Sequence, residues 1–247
     1  MSLPDEFTKD LTASHRDAGI MWVASNDIAA AFRISPDTVW RPANADAQPK
    51  LISPAVKRAL DLAIAVPALV LLAPFLALIA LIILLDSGGP VFFRQMRLGR
   101  DGKPFDIFKF RTMRVMENGD TVIQARHGDA RITRSGIWLR RTSIDELPQL
   151  LNVIAGEMSI VGPRPHARAH DLFYSTVVEN YDLRQAVKPG ITGWAQINGH
   201  RGETPTFAAM QARVDHDIWY ARHASLALDL KILARTPFAV LSGRNAY

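Results

Sequence analysis

From Ala59 to Leu85 the chain is apolar almost without interruption, and Asp61 is the single charge in the run. At ~1.5 Å of rise per residue, a helix of this length matches the ~30 Å hydrocarbon core of a bilayer. A helix in a soluble core is rarely so uniform, so the run reads as a membrane segment. Pro67 and Pro74 lie inside it. Each removes a donor and frees a carbonyl, at Ala63 and Val70, which a membrane helix tolerates. A straight crossing and a bend-and-return are both open on this ground. The flanks weigh between them. Lys50, Lys57 and Arg58 precede the run, and Arg94, Arg97, Arg100 and Lys103 follow it. Cytoplasmic flanks collect Lys and Arg. Two basic flanks therefore favour a helix that dips into one leaflet and returns.

The hydrophobic fraction, 48%, is concentrated in that run, which leaves an ordinary soluble-type surface elsewhere in the 247 residues. The formal charge of +5 points to an anionic partner: a phosphorylated metabolite, nucleic acid or acidic lipid. The absence of cysteine excludes disulfides and thiolate metal sites. M-S-L-P-D-E-F lacks the basic start and apolar core of a secretory signal, so the bulk of the chain is expected in the cytoplasm. The expected division is a variable arm over 1–49, the membrane helix over 50–88 and a catalytic domain over 89–247. Short amphipathic pieces at Ile20–Val23 and Ile28–Phe32 fall in the arm, which carries no motif.

The chemistry centres on R-R-T-S-I-D-E-L-P-Q-L-L-N-V-I-A-G-E-M-S-I-V-G-P-R-P, residues 140–165. Asp145 and Glu146 stand ahead of an apolar run with helical spacing. Ser143 and Glu146 have capping-box spacing. A cap at Asp145, with Pro148 in the first turn, is equally open. Both place the acids at a helix N-terminus, where the dipole favours the ionised form. Two acids in that position are commonly plain caps. Arg140 and Arg141 before them, and Arg164 in the stiff turn G-P-R-P, suit an anionic substrate with a metal better.

Around this segment, Val91–Arg97 and Pro104–Met113 read as a β-hairpin about a Gly99–Gly102 turn, with Arg94, Arg97, Lys109 and Arg111 projecting. Such a face is usually just solvated; beside a membrane segment it suits headgroups or a diphosphate. Glu117–Ala130 reads as a loop and Ala167–Gln185 as helical. The glycine-punctuated stretch from Lys188 to Thr204 reads as a binding loop containing Trp194, Gln196, Asn198 and Arg201. Trp194 suits an interface or core better than a base or sugar face. His200 is expected to tune the local site, and His166 and His170 to lie on the surface. The last helices fall over Phe207–Tyr220 and Ala224–Val240, the second lying along a membrane or against the core.

K-R-A-L-D-L, F-K-F-R-T-M, S-I-D-E-L-P-Q-L-L-N-V, G-E-M-S-I-V-G-P-R-P and K-P-G-I-T-G-W-A-Q-I-N-G occur here in the order found in the bacterial sugar transferases. These are the monotopic phosphoglycosyl transferases that begin surface-glycan assembly on polyprenyl phosphate, and the resemblance covers roughly residues 55–240. It implies an α+β, mostly helical, monotopic membrane protein with a re-entrant Pro-broken helix, a small β-hairpin and a cytoplasmic catalytic domain at the bacterial inner membrane. The family's break is Ser-Pro; the matching pair here is Ala73-Pro74, and Pro67 is additional. The resemblance also implies transfer of a sugar 1-phosphate from a UDP-sugar to undecaprenyl phosphate, with UMP released. On it, Asp145 is the nucleophile and Glu146 the Mg²⁺ ligand, with Asp145 able to share the metal. Lys109, Arg111, Arg140, Arg164 and Arg201 are the phosphate-binding candidates. R-G-E-T, residues 201–204, resembles the glucose 1-phosphate branch, whose members often have a multi-span region before the catalytic part; this chain is similar to the catalytic part alone. The implied partners are the UDP-sugar, undecaprenyl phosphate and membrane lipid, with a second copy or downstream glycosyltransferases beyond them, and no nucleic acid. A non-catalytic membrane scaffold, or a galactose or N-acetylhexosamine phosphotransferase, are the competing readings.

Overall fold

The computed structural model describes residues 52–114, 128–202, 204 and 206–241. The N-terminal arm and most of the Glu117–Ala130 loop lie outside the described residues. Helix α1, Pro54–Ser87, accounts for the apolar run. Pro54 sits at its start, where a missing N–H costs nothing, and Gly88 ends it at φ 60°. The helical backbone continues through Pro67 and Pro74.

Both ends of α1 are fastened to the same globular body. At the start, Lys57 Nζ donates to Val161 O and to the Asp229 carboxylate. Arg58 donates to Val153 O and Ile154 O, at 2.6 and 2.7 Å. Asp61 accepts from Ser159 Oγ and Ile160 N. The lone charge of the apolar run is thus buried against backbone and hydroxyl donors, which removes its desolvation penalty. At the far end Ile79 and Ile83 are buried with Phe110 and Leu139, and Asp86 accepts from Ser135 N and Oγ. Between the two attachments Val70 and Leu71 are bare, at 68% and 79% exposed. The charges of K-R-A-L-D-L are therefore not free flanking cations; they turn inward and tie the helix to the domain.

Strands β1, Phe92–Leu98, and β2, Pro104–Phe110, form the expected antiparallel hairpin, closed by a 3₁₀ turn at Arg100–Gly102. The basic residues do not form one face. Arg94 lies over the Phe108 ring, Arg97 donates to Pro165 O, Lys109 reaches Glu146, and Arg111 donates to Ser87 Oγ at the end of α1. Helix α2, Arg134–Thr142, is capped by Thr133, whose side chain accepts from Gly136 N. A single 3₁₀ turn, Ile144–Glu146, leads to helix α3, Gln149–Ala155. Asn152 fixes α3 to the hairpin: it is fully buried, accepts from Phe108 N, and donates to Asp106 O and Glu157.

Strands β3, Ser159–Val161, and β4, Gly190–Thr192, pair in parallel. Their backbones meet so closely that a Cβ on Gly190 would lie 2.1 Å from Gly162 N. Helix α4, Arg168–Val177, is followed by a 3₁₀ segment, Tyr181–Ala186, with left-handed Asn180 between them, so the expected single helix is two pieces. Helices α5, Trp194–Ile197, α6, Phe207–His223, and α7, Leu226–Leu241, complete the domain. Helix α7 packs Ile232 into the main core and leaves Leu230 and Phe238 exposed.

Candidate active site

The chain reverses at Ser143, which ends α2 in the left-handed region at φ 58°. This overturns the capping-box expectation. The Ser143 side chain caps nothing, and Glu146 does not reach back. Asp145 and Glu146 instead occupy the 3₁₀ turn, both buried, ahead of a helix that begins only after Pro148. The turn rests against the strand that carries Lys109.

The two acids have opposite surroundings. Glu146 Oε1 accepts from Lys109 Nζ at 2.8 Å, and Arg164 grips both of its oxygens, with Nη1 3.0 Å from Oε2. Burial alone would raise its pKa; the Arg164 and Lys109 charges outweigh that and hold the carboxyl well below its usual range. No hydrogen bond to the Asp145 carboxylate is found among the described residues. Burial first, and the Glu146 charge second, push its pKa up to about 6, against the pull of Lys109, Arg140 and Arg164. Adjacent carboxyls with pKa values driven apart are a usual basis for divided chemical roles.

Arg164 is held by its turn. The three successive carbonyls Pro163, Arg164 and Pro165 each accept a hydrogen bond, from Gly190 N at 2.8 Å, Arg184 Nη2 and Arg97 Nη1 respectively. Arg184 is itself buried against Asp171 and Asp217. His166 is a correction to the surface expectation. It is buried, bonded to the Tyr181 hydroxyl in the same network, and burial followed by the charge of Arg184 keeps it neutral well below its ordinary pKa. His170 is partly buried, edge-on to Tyr174. His200 stacks beside His216.

Of the phosphate-binding candidates, the structure brings Lys109 and Arg164 onto Glu146, and Arg140 within electrostatic range of Asp145. Arg201 joins Glu146 in the wall of a cavity of about 210 Å³, with Gln196, Thr192 and Thr236. Arg111 is directed elsewhere, to the end of α1. Trp194 stacks on Trp219, centroids 4.8 Å apart, and carries Lys231 above its ring, a packing position. Asn152 and Arg184 support the site without having been singled out in it, and Arg97, read as a projecting base, supports it through the Pro165 carbonyl. The only sequence signal for them was membership of, or adjacency to, the motifs.

Mg²⁺ takes oxygen ligands, keeps several waters, and needs one or two protein carboxylates when phosphate oxygens complete its shell. No cluster of three His, Asp or Glu side chains suited to a metal occurs among the described residues. The uncommitted Asp145 carboxylate, adjacent to Glu146, fits a cation that arrives with a diphosphate. Glu146 could ligate it only by giving up a bond to Arg164 or Lys109.

The family model described as bacterial sugar transferase matches residues 52–243. The chain is 54% identical over 192 residues to a UDP-glucose:undecaprenyl-phosphate glucose-1-phosphate transferase of Escherichia coli, covering 78% of this chain and 41% of that one. It is 52% identical to a transferase of the same name from Caulobacter vibrioides, covering 77% and 72%. It is 46% identical to an exopolysaccharide production protein of Rhizobium leguminosarum, covering 76% and 96%. The chain thus spans about two fifths of the E. coli relative, and the residues that the family model matches include helix α1, the acidic turn and the cavity. With that match over most of its length, the chain belongs to the bacterial sugar transferase family.

Proposed function

We propose that this protein transfers a sugar 1-phosphate, glucose 1-phosphate by its similarity to the E. coli and Caulobacter proteins, from a UDP-sugar to undecaprenyl phosphate, as a first step of surface-polysaccharide synthesis. The observation that carries this reading is the division between the two acids: one neutralised by two cations, the other buried and uncommitted. Asp145 attacks the phosphorus attached to the sugar, and the bond to UMP breaks, leaving a phosphosugar on Asp145. The acceptor phosphate then attacks that phosphorus and regenerates the carboxylate. Glu146, clamped by Arg164 and Lys109, keeps those cations aimed at the incoming diphosphate and offsets repulsion between like charges. Asp145, with Glu146 as second ligand, would hold Mg²⁺, which when bound supplies further neutralisation of the diphosphate. Arg140 is the remaining contact to the donor diphosphate, and Arg201 faces the neighbouring cavity.

The test is UMP release across a panel of UDP-sugars with undecaprenyl phosphate and Mg²⁺. The expected result is release with UDP-glucose that a chelator stops. No release with any UDP-sugar would favour a non-catalytic scaffold, and release unaffected by chelation would remove the metal.

The reading also takes α1 as a re-entrant helix, with the catalytic domain on the cytoplasmic side. Support comes from its attachments: Lys57, Arg58 and Asp61 at one end, and Ile83 and Asp86 at the other, hold the same body. A straight span would pull one set away. In spheroplasts, single cysteines at Ser53 and Gly88 should both resist an impermeant maleimide until the membrane is opened; labelling of either one from outside would contradict the dip.

A further inference from the structure

The cavity beside the acids has a composition that the donor does not explain. Its polar lining is Glu146, Arg201 and five hydroxyl or amide side chains, Gln196 and Thr236 among them. Its aliphatic lining is Leu147, Ile191, Ile197, Ala239 and Val240. Among the described residues no aromatic ring lines it, so none of them would stack a uracil there. At about 210 Å³ it is smaller than the ~300 Å³ at which drug-sized ligands begin to fit. The cations differ in availability. Lys109 and Arg164 are paired with Glu146, on the side the donor diphosphate takes in the reading above. Arg201 Nη1 is buried and without a hydrogen-bond partner among the described residues. The apolar wall also leads outward. Ala239 and Val240 are the last turn of α7, and the neighbouring Phe238 is 74% exposed on the outer surface.

We propose that this cavity seats the lipid acceptor, with Arg201 binding its phosphate and the Ile191–Ile197–Ala239–Val240 wall covering the first units of its hydrocarbon chain. The inference rests on the transferase reading above and assigns the acceptor's place within it. The rest of the lipid leaves along the exposed side of α7 towards the bilayer that α1 enters. In the transfer step an acceptor phosphate oxygen bonds to the phosphorus of the Asp145 phosphosugar. The phosphorus–oxygen bond to Asp145 breaks, the carboxylate is restored, and any proton on the acceptor phosphate goes to solvent. Phosphate at one end and hydrocarbon at the other is the pattern this wall recognises; a sugar or a base would leave the aliphatic side unmatched.

Ala239→Trp fills the cavity, and Arg201→Met removes its cation without adding bulk. In detergent, with undecaprenyl phosphate as the probe, each variant should raise the acceptor concentration for half-maximal transfer at least tenfold, against less than twofold for UDP-glucose. Val240→Phe serves in place of Ala239→Trp should the latter fail to fold. An equal rise for both substrates, or a rise for UDP-glucose alone, overturns the assignment. So does inorganic phosphate competing as strongly as undecaprenyl phosphate, because the aliphatic wall would then contribute nothing. Failure of the wild-type protein to release UMP from any UDP-sugar would be a failure of the transferase reading itself.

Discussion

Asp145→Asn is expected to lower UMP release at least ~10³-fold and, at neutral pH, to raise the melting temperature. The rate loss follows from removing the one carboxylate at the site that is uncommitted among the described residues; the amide keeps the shape and loses the nucleophile. The stability gain follows from linkage. The folded pKa of about 6 lies above the ~3.9 of an unfolded Asp, because burial and Glu146 both oppose its charge. Between those values the native state binds more protons than the unfolded one. Asp145 therefore stabilises the fold below about pH 4, and that contribution is lost as pH rises through 6. Above 6 its charge costs on the order of 3 kcal/mol, which Asn removes. Melting scans of wild type and variant should diverge between pH 4 and 6 and stay apart above. Activity runs the other way: wild-type UMP release should fall about tenfold per pH unit below 6, as the nucleophile takes up a proton. Substantial turnover by Asp145→Asn would move the nucleophile elsewhere, and an unchanged melting temperature at pH 7.5 would contradict the buried charge.

Arg164→Met should cost about 10²-fold or more in kcat/KM and about 2 kcal/mol in stability. Arg164 meets Glu146 with both guanidinium nitrogens, at a position where the carboxylate is buried and has Lys109 as its remaining partner. Removing one partner of such a pair strands part of a charge in a poorly solvated place. It also removes a cation that would face the diphosphate, and one preorganised donor of this kind is typically worth 10²–10³ in rate. Arg164→Lys should recover little, because an ammonium cannot reproduce the two-point grip that the G-P-R-P turn presents. Thermal melting together with UMP-release kinetics separates the two effects. Near-wild-type kcat/KM in Arg164→Met would leave Arg164 a structural partner of Glu146 alone.

Much of this fold was legible in the sequence, and the reasons differ by element. The apolar run was plain from its uniformity, and α1 follows it with a length and composition that could cross a membrane. The hairpin was legible from alternation and its glycine turn. What the sequence hid was direction. Lys57, Arg58 and Asp61 look like flanking charges, yet their partners are carbonyls, amides and an acid about a hundred or more residues away. Arg111 and Lys109, two positions apart, go to different elements because β2 ends between them at Phe110. The acidic pair was singled out with Arg140 and Arg164 beside it, which the structure also has; the helix-start reading of its backbone failed. Capping spacing is a local rule, and here the left-handed Ser143 and Pro148 replace the helix start with a 3₁₀ turn. His166 looked like a surface residue because nothing near it in sequence foretells Tyr181 and Arg184 closing over it.

The division of labour between Asp145 and Glu146 is tested most directly by mass. After the protein is mixed with UDP-glucose and Mg²⁺ in the absence of acceptor, the peptide containing Asp145 should gain a hexose phosphate, and undecaprenyl phosphate should discharge it. Stoichiometric UMP release with that peptide unmodified, or the adduct on Glu146 or any other side chain, would contradict the account.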